Sequence, residues 1–199
     1  SVTIKEALNH PTWDMGPKIT VDSATLMNKS LEVIEAAWLF GADIDQVEVV
    51  IHPQSIVHSM VEFKDGSVLA QLSNPDMVFP IQYALTYPER YESSIQPMDF
   101  TKALSLDFES PDHKRFPSIE MAKDSFRRGG TAPAVFNAAN EVAVAAFLAG
   151  NLKFSRIWDV IQKTLDKHSF ERQPDLERII EADSEARIIA EEIVSQEKL

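Results

Sequence analysis

Asn28, Lys29 and Glu32 put an amide, a fixed positive charge and a carboxylate within one turn of a helix. Asn28 and Glu32 are four residues apart, so their side chains are neighbours on one face. Asp22 and Ser23 stand just ahead of them, where an N-cap belongs, beside free backbone N–H groups and the positive end of a helix dipole. A phosphate placed there receives hydrogen bonds from Ser23 and Asn28 and charge from Lys29. Glu32, a turn further on, is then positioned to hold a hard divalent ion near the rest of the same ligand. The same residues also make an ordinary solvated helix face, and spacing alone does not choose between the two.

Upstream lies "HPTWDMG", residues 10–16. Trp13 and Met15 sit in a segment punctuated by Pro and Gly and belong to no apolar stripe. They either tuck into the core or close over a ligand to exclude water, with His10 as a polar contact. The other histidines say less. His52 and His58 flank "PQSIV" with no carboxylate at a fitting offset, a poor metal motif. His113 and His168 read as structural. Neither a G-x-G-x-x-G nor a G-x-x-x-x-G-K-[ST] loop is present. Gly129-Gly130 reads as a helix stop. "NAANE", residues 137–141, is polar within a helix and suits either a functional role or a buried amide network between helices.

These groups need elements to position them. Residues 23–40 read as a helix ended by Gly41 in a left-handed cap. At 100° per residue, Leu26, Met27, Leu31, Ile34, Ala37 and Trp38 gather on one side. Asn28, Glu32 and Glu35 gather on the other, with Lys29 at the margin. Alternation then points to strands: Val47, Val49 and Ile51 in one run, and Val57, Ser59, Val61 and Phe63 in another. Asp65-Gly66 signals a hairpin into Val68, Ala70 and Leu72. Residues 87–112 carry prolines without clean periodicity and read as an extended connector. Beyond them the pattern is helical: "PSIEMAKDSFRRGG", "PAVFNAANEVAVAAFLAG", "FSRIWDVIQKTLDKH" and "SEARIIAEEIVSQ". The fold class expected is α+β, residues 1 to about 86 forming a unit of helices and a small mixed or antiparallel sheet of at least three strands. An all-α helical bundle follows it.

The 199 residues are 44% hydrophobic and 25% charged, enough for one good core or two modest ones. A net charge of −12 argues against a nucleic-acid partner. With no cysteine, disulfides and thiolate metal sites are excluded. No apolar run is long enough to span a membrane. The first residue is Ser1, so the expectation is a processed or truncated product.

"HPTWDMGPKITVDSATLMNKSLE", "IHPQSIVHSMVEFKDGSVLAQLSNPDM" and "NAANEVAVAAFLAG" together resemble the 1-deoxy-D-xylulose 5-phosphate reductoisomerase family. The resemblance runs along essentially the whole chain. It implies NADPH- and metal-dependent conversion of 1-deoxy-D-xylulose 5-phosphate to 2-C-methyl-D-erythritol 4-phosphate, on the non-mevalonate route to isoprenoids. It implies a flap at residues 9–17 in which His10 contacts substrate, Trp13 closes over it, and Met15 and Gly16 lie near the nicotinamide of NADPH. Ser23, Asn28 and Lys29 match the family's phosphate-binding positions. Glu32 matches one of three acidic ligands for Mn²⁺, Mg²⁺ or Co²⁺. His10 and Glu32 are the catalytic assignments, and His58 and Met77 match positions lining the site. The family usually has Gly where Ser30 stands, at the edge of the apolar side, so a small local effect is expected.

By the same resemblance, residues 1–86 form part of a catalytic, substrate- and metal-binding, dimerising domain. Residues 87–112 form the connector and 113–199 a C-terminal α-helical domain. Only the C-terminal half of the family's length is matched. The NADPH-binding domain, two further metal ligands and a phosphate-contacting Ser have no counterpart, so the chain alone is expected to be inactive. The partners implied are a sugar phosphate and a second copy, the hairpin at 56–72 being the candidate dimer surface, with no nucleic acid and no membrane. A bacterial cytoplasm is the expected location, an organelle the alternative. The rival readings are a non-catalytic phosphate-binding or dimerisation module and a metal-dependent sugar-phosphate isomerase without a redox step.

Overall fold

A computed structural model describes residues 2–102 and 104–197. Contacts divide the chain into two units, one formed by Ser1–Val49 with Pro111–Leu199 and the other by Val50–Ser110.

The first unit is helical. A short α1 (Ile4–Ala7) is closed by a capping box between Thr3 and Glu6. Then come α2 (Pro17–Ala24), with Pro17 at its first turn, and α3 (Met27–Phe40), ended by Gly41 at φ +59°. After the second unit the chain returns as α5 (Ser118–Arg128), α6 (Ala132–Leu148), α7 (Ile157–Lys167) and α8 (Leu176–Gln196). Helix α6 is the axis of the unit, packing against α7 and α8 and touching α2, α3 and α5. Its position explains its composition, for Val135, Phe136, Ala138, Ala139, Ala143, Val144 and Phe147 are all buried. Small residues let α8 approach closely through Ala182, Ala186 and Ala190, which are fully buried.

Two joints of this bundle are stitched together. Gly130, at φ +54°, brings its backbone against that of Glu171 so closely that a Cβ there would stand 1.7 Å from the Glu171 carbonyl oxygen. Thr131 N–H donates to Glu171 O at 3.1 Å, and Glu171 N–H donates to Thr131 Oγ1 at 3.2 Å. His168 Nε2 meets the same hydroxyl at 2.9 Å. Gly130 is therefore required by close approach, beyond the helix stop that the glycine pair suggested.

The second unit holds β1 (Val57–Glu62), β2 (Val68–Leu72) and α4 (Val78–Thr86). The strands pair antiparallel with Ser59 opposite Gln71 and Val61 opposite Leu69, after an irregularity near Val57. The turn is the one expected: Gly66 takes φ +82°, and the Asp65 carboxylate accepts from Ser67 N–H and Oγ–H. The connector adds no helix among its described residues. It is tied down by an isolated bridge between Ile51 and Glu109, by His52 Nδ1–H donating to Asp107 O at 2.8 Å, and by the His52 ring stacked on Phe108.

The expectation of at least three strands is corrected, since the described residues form two and that bridge. Val47 and Val49 alternate because they pack on the small cluster of Val33, Ala37 and Ile44, which makes strand-like spacing without a strand partner. The α+β class stands. No described helix is long and apolar enough to cross a membrane.

Candidate active-site fragment at the junction of α2 and α3

The single helix expected over 23–40 is instead two, and the break between them shapes the site. Leu26 takes the left-handed conformation at φ 60°, ψ 11°, uncommon for a branched apolar residue. Thr25 holds the break: its hydroxyl donates back to Val21 O at 3.0 Å and receives Met27 N–H at 3.4 Å. The Thr25 carbonyl, which a continuous helix would offer to Lys29 N–H, accepts the buried Ser118 hydroxyl from α5 at 2.8 Å. The first bond of α3 runs from Ser30 N–H to Leu26 O, and no side chain caps its start. With Met27 N–H taken by the Thr25 hydroxyl, the open N–H groups of the first turn are those of Asn28 and Lys29, with the dipole's positive end among them.

Ser23 consequently lies in the last turn of α2 and not at an N-cap. Asp22 does not cap either. It is buried, paired with Lys18 Nζ at 2.5 Å, and accepts from Asn140 Nδ2 of α6 at 3.0 Å. Both corrections follow from placing the helix start four residues later than periodicity suggested. The buried stripe of α3 is Met27, Ser30, Val33, Ile34 and Ala37. It is centred nearer Ser30 and Val33 than residue types implied, which leaves Trp38 at its rim, 71% exposed and edge-on to Phe126. Ser30 is fully buried, and its hydroxyl donates to Leu26 O at 2.8 Å. The hydroxyl thus adds a second bond to the carbonyl of the left-handed residue.

The structure brings Asn28, Lys29 and Glu32 together. Asn28 Nδ2 donates to Glu32 Oε1 at 2.7 Å, and Lys29 Nζ pairs with Glu32 Oε2 at 2.6 Å. Both charged side chains are about half exposed. An incoming phosphate would meet the N–H groups of Asn28 and Lys29, the ammonium of Lys29 and the polar face that Ser23 precedes.

Residues 9–16 form an irregular loop leading to Gly16, the N-cap of α2. His10 Nδ1 accepts from the backbone N–H groups of Thr12 and Trp13 at 3.1 and 3.0 Å. That fixes the tautomer: Nδ1 is the acceptor, and Nε2 carries the proton available to a ligand. Trp13 and Met15 are half-buried. Among the described residues no hydrogen bond or ion pair joins this loop to Asn28, Lys29 or Glu32. His58, on β1 with Nε2–H donating to Ser73 O at 3.3 Å, and Met77, exposed ahead of α4, belong to the other unit.

The described residues do not make up a complete metal site. No group of three metal-ligating His, Cys, Asp or Glu side chains exists among the described residues. Glu32 offers one carboxylate with both oxygens already engaged, whereas a hard divalent ion takes about six oxygen ligands. Residues that reasoning from sequence did not place at the site are Thr25, Ser118 and Asn140. The one available signal was the polar "NAANE" within an apolar helix.

A helix N-terminus bearing amide, ammonium and carboxylate, preceded in the chain by a His- and Trp-bearing loop, is an arrangement chemically suited to an anionic, phosphate-like ligand. Comparison with known proteins gives the particular family. Residues 72–189 match the DXP reductoisomerase C-terminal domain, and residues 1–40 match the 1-deoxy-D-xylulose 5-phosphate reductoisomerase C-terminal domain. The chain is similar to the 1-deoxy-D-xylulose 5-phosphate reductoisomerase of Desulforamulus reducens, 57% identical over 98% of this chain and 50% of that protein. The Acetivibrio thermocellus enzyme of that name is 55% identical over 98% of this chain and 51% of its own. The fold is similar to that of the Zymomonas mobilis reductoisomerase in complex with NADPH, with TM-score 0.89, 47% identity, and coverage of 97% of this chain and 50% of that one. It is also similar to a DOX-P reductoisomerase in complex with NADPH, fosmidomycin and magnesium, with TM-score 0.90, 44% identity, and coverage of 98% and 50%. The chain belongs to the 1-deoxy-D-xylulose 5-phosphate reductoisomerase family. It spans about half the length of the curated relatives it matches.

Proposed function

We propose that this chain is the phosphate-gripping part of a reductoisomerase that converts 1-deoxy-D-xylulose 5-phosphate to 2-C-methyl-D-erythritol 4-phosphate with NADPH, for the non-mevalonate route to isoprenoids. The observation that carries the reading is the break at Thr25–Leu26, which starts a helix directly beneath Asn28 and Lys29 in a chain of this family.

In this reading the substrate's phosphate sits on the first turn of α3, bound by Ser23, Asn28 and Lys29. Engaging phosphate draws Asn28 Nδ2 and Lys29 Nζ away from Glu32 and frees that carboxylate to face the reacting end of the sugar. Phosphate binding far from the reacting carbons supplies orientation. The loop at 9–17 closes with Trp13 over the ligand and His10 Nε2–H toward it, while Met15 and Gly16 border the nicotinamide, whose role is hydride donation. Glu32 is the one carboxylate that this chain contributes to a divalent metal such as Mn²⁺, Mg²⁺ or Co²⁺. Residues 1–86 act as part of the catalytic, dimerising domain and 113–199 as the C-terminal helical domain. The exposed hairpin, with Val61 at 58% and Leu69 at 65% exposure, suits pairing with a second copy. A bacterial cytoplasm is the setting we favour.

One observation favours a second reading for the chain by itself. With a single engaged carboxylate and no metal-ligating trio among the described residues, the 199-residue chain would bind phosphate without chemistry. The test is NADPH oxidation with 1-deoxy-D-xylulose 5-phosphate and Mn²⁺, first with the chain alone and then with the other half of a relative supplied. Silence alone and turnover on mixing is the expected result. Turnover by the chain alone would show the ligands to be misassigned, and silence in both would leave only the phosphate-binding module.

A further inference from the structure

We infer that Asn140, in the middle of α6, is a positioning residue for the phosphate site, acting through Asp22. The inference rests on the phosphate reading proposed above.

Asn140 is fully buried, and its Nδ2 donates to Asp22 Oδ1 at 3.0 Å. Asp22 is also buried, and its other oxygen pairs with Lys18 Nζ at 2.5 Å. Because the carboxylate only accepts, the amide's orientation is fixed with nitrogen toward Asp22. The Asn140 carbonyl oxygen is thereby turned into a buried place where it has no hydrogen-bond partner. An orphaned buried acceptor is a cost that an apolar residue of similar size would avoid. That cost secures a bond across 118 residues of sequence to the residue next to Ser23.

The consequence is geometric. Asp22 precedes Ser23, and Thr25, held by Ser118 of α5, follows it by two. The last turn of α2 is therefore fixed to α6 at Asp22 and to α5 at Thr25. Ser23, the left-handed Leu26, and the Asn28 and Lys29 N–H groups are carried on that fixed stretch. A site built from backbone N–H groups of one helix and a hydroxyl of another works only if the two helices keep their relation. Asn140 is the side chain through which α6, together with Ser118 of α5, helps set that relation. Its neighbour Asn137, on the same helix, bonds Glu141 one turn on at 3.1 Å and has no part in this.

The test uses the 199-residue chain with inorganic phosphate as the probe, followed through the amide resonances of Ser23, Asn28 and Lys29. The variants are Asn140→Leu, and Asn140→Ser in case the first does not fold, with Lys29→Ala as the control for the site. Affinity is measured well below each variant's melting temperature, so that only folded protein reports. Either Asn140 variant should bind phosphate about tenfold more weakly than the unaltered chain, comparable to one well-aligned hydrogen bond. A lower melting temperature with unchanged affinity, while Lys29→Ala loses binding, would overturn the positioning role and leave Asn140 a packing residue. If the unaltered chain does not bind phosphate, or Lys29→Ala binds as well as it does, the phosphate reading itself fails and this inference falls with it.

Discussion

Replacing Lys29 with Ala separates a binding residue from a solvated one, because the structure makes its two expected effects very different in size. On the stability side, Lys29 contacts Glu32 at 2.6 Å, but the side chains are 49% and 46% exposed. Ion pairs of this kind, three residues apart on a solvated helix, contribute about 0.2–0.5 kcal/mol. Alanine's better helix propensity returns a few tenths of that. The net change is within about 0.5 kcal/mol, roughly 2 °C in melting temperature for a chain of this size. On the binding side, an ammonium on phosphate is a charge-assisted hydrogen bond, and losing it costs about 1.5–3 kcal/mol, roughly 10- to 150-fold in affinity. The assay is a phosphate titration of both proteins by amide chemical shift, beside thermal melts followed by circular dichroism. Added salt should weaken the unaltered chain more than the variant, whose site has one charge fewer. Phosphate affinity within about twofold of the unaltered chain, below half a kcal/mol, would refute the assignment of the first turn of α3 as the site. A fall in melting temperature beyond about 6 °C, some 2 kcal/mol, would refute the description of Lys29 as a surface residue.

Two further substitutions test the bundle. In Gly130→Ala the new Cβ would stand 1.7 Å from Glu171 O and 2.9 Å from Arg172 Cα, both backbone atoms, at φ +54°. Left-handed strain of about 1–2 kcal/mol, overpacking of about 1–3 and weakened bonds at Thr131 together reach about 4 kcal/mol, a fall of roughly 8–16 °C. Gly41→Ala, at φ +59° with nothing within 4 Å, should lose only the strain, and equal losses from the two would disprove the close approach. Burial holds the His168 imidazole below its ordinary 6.5, opposed by Glu185 and reinforced by Arg178. The unfolded chain therefore takes up that proton at higher pH than the folded one, so the contribution is full above 6.5 and lost as pH falls through the depressed value. Melting curves from pH 7.5 to about 4.5 should show His168→Gln losing less stability than the unaltered chain toward acid pH, and parallel curves would refute it.

Much of the fold was legible because it rests on local signals. Asp65-Gly66 specified the hairpin through a side-chain-capped turn, and Gly41, Gly129 and Gly150 marked helix ends with positive φ. The apolar runs after residue 113 gave the helices of the bundle. The misreadings share a cause, which is a local pattern whose partner lies elsewhere in the chain. Val47 and Val49 alternate like a strand because they cover Val33 and Ala37 on a helix. Trp38 counts as core by type, yet stands at the rim of its stripe.

The site shows the same division more sharply. Asn28, Lys29 and Glu32 are adjacent by helix geometry alone, and so their meeting could be read directly. Which backbone N–H groups face a ligand could not, because residues 17–40 contain no Gly, and only the Pro at 17, to announce a break. The break depends on Ser118, 93 residues away, taking the Thr25 carbonyl. It depends equally on Thr25 supplying bonds that the backbone would otherwise make for itself. Had the helix been continuous, the Lys29 N–H would have bonded Thr25 O, and the site would retain side-chain donors but not backbone ones. The phosphate would then rest on flexible groups that must first be drawn away from Glu32. With the break in place, part of the binding of the proposed phosphate would come from N–H groups already aimed and unable to collapse onto the carboxylate, and the Lys29 and Asn140 variants test these two contributions separately.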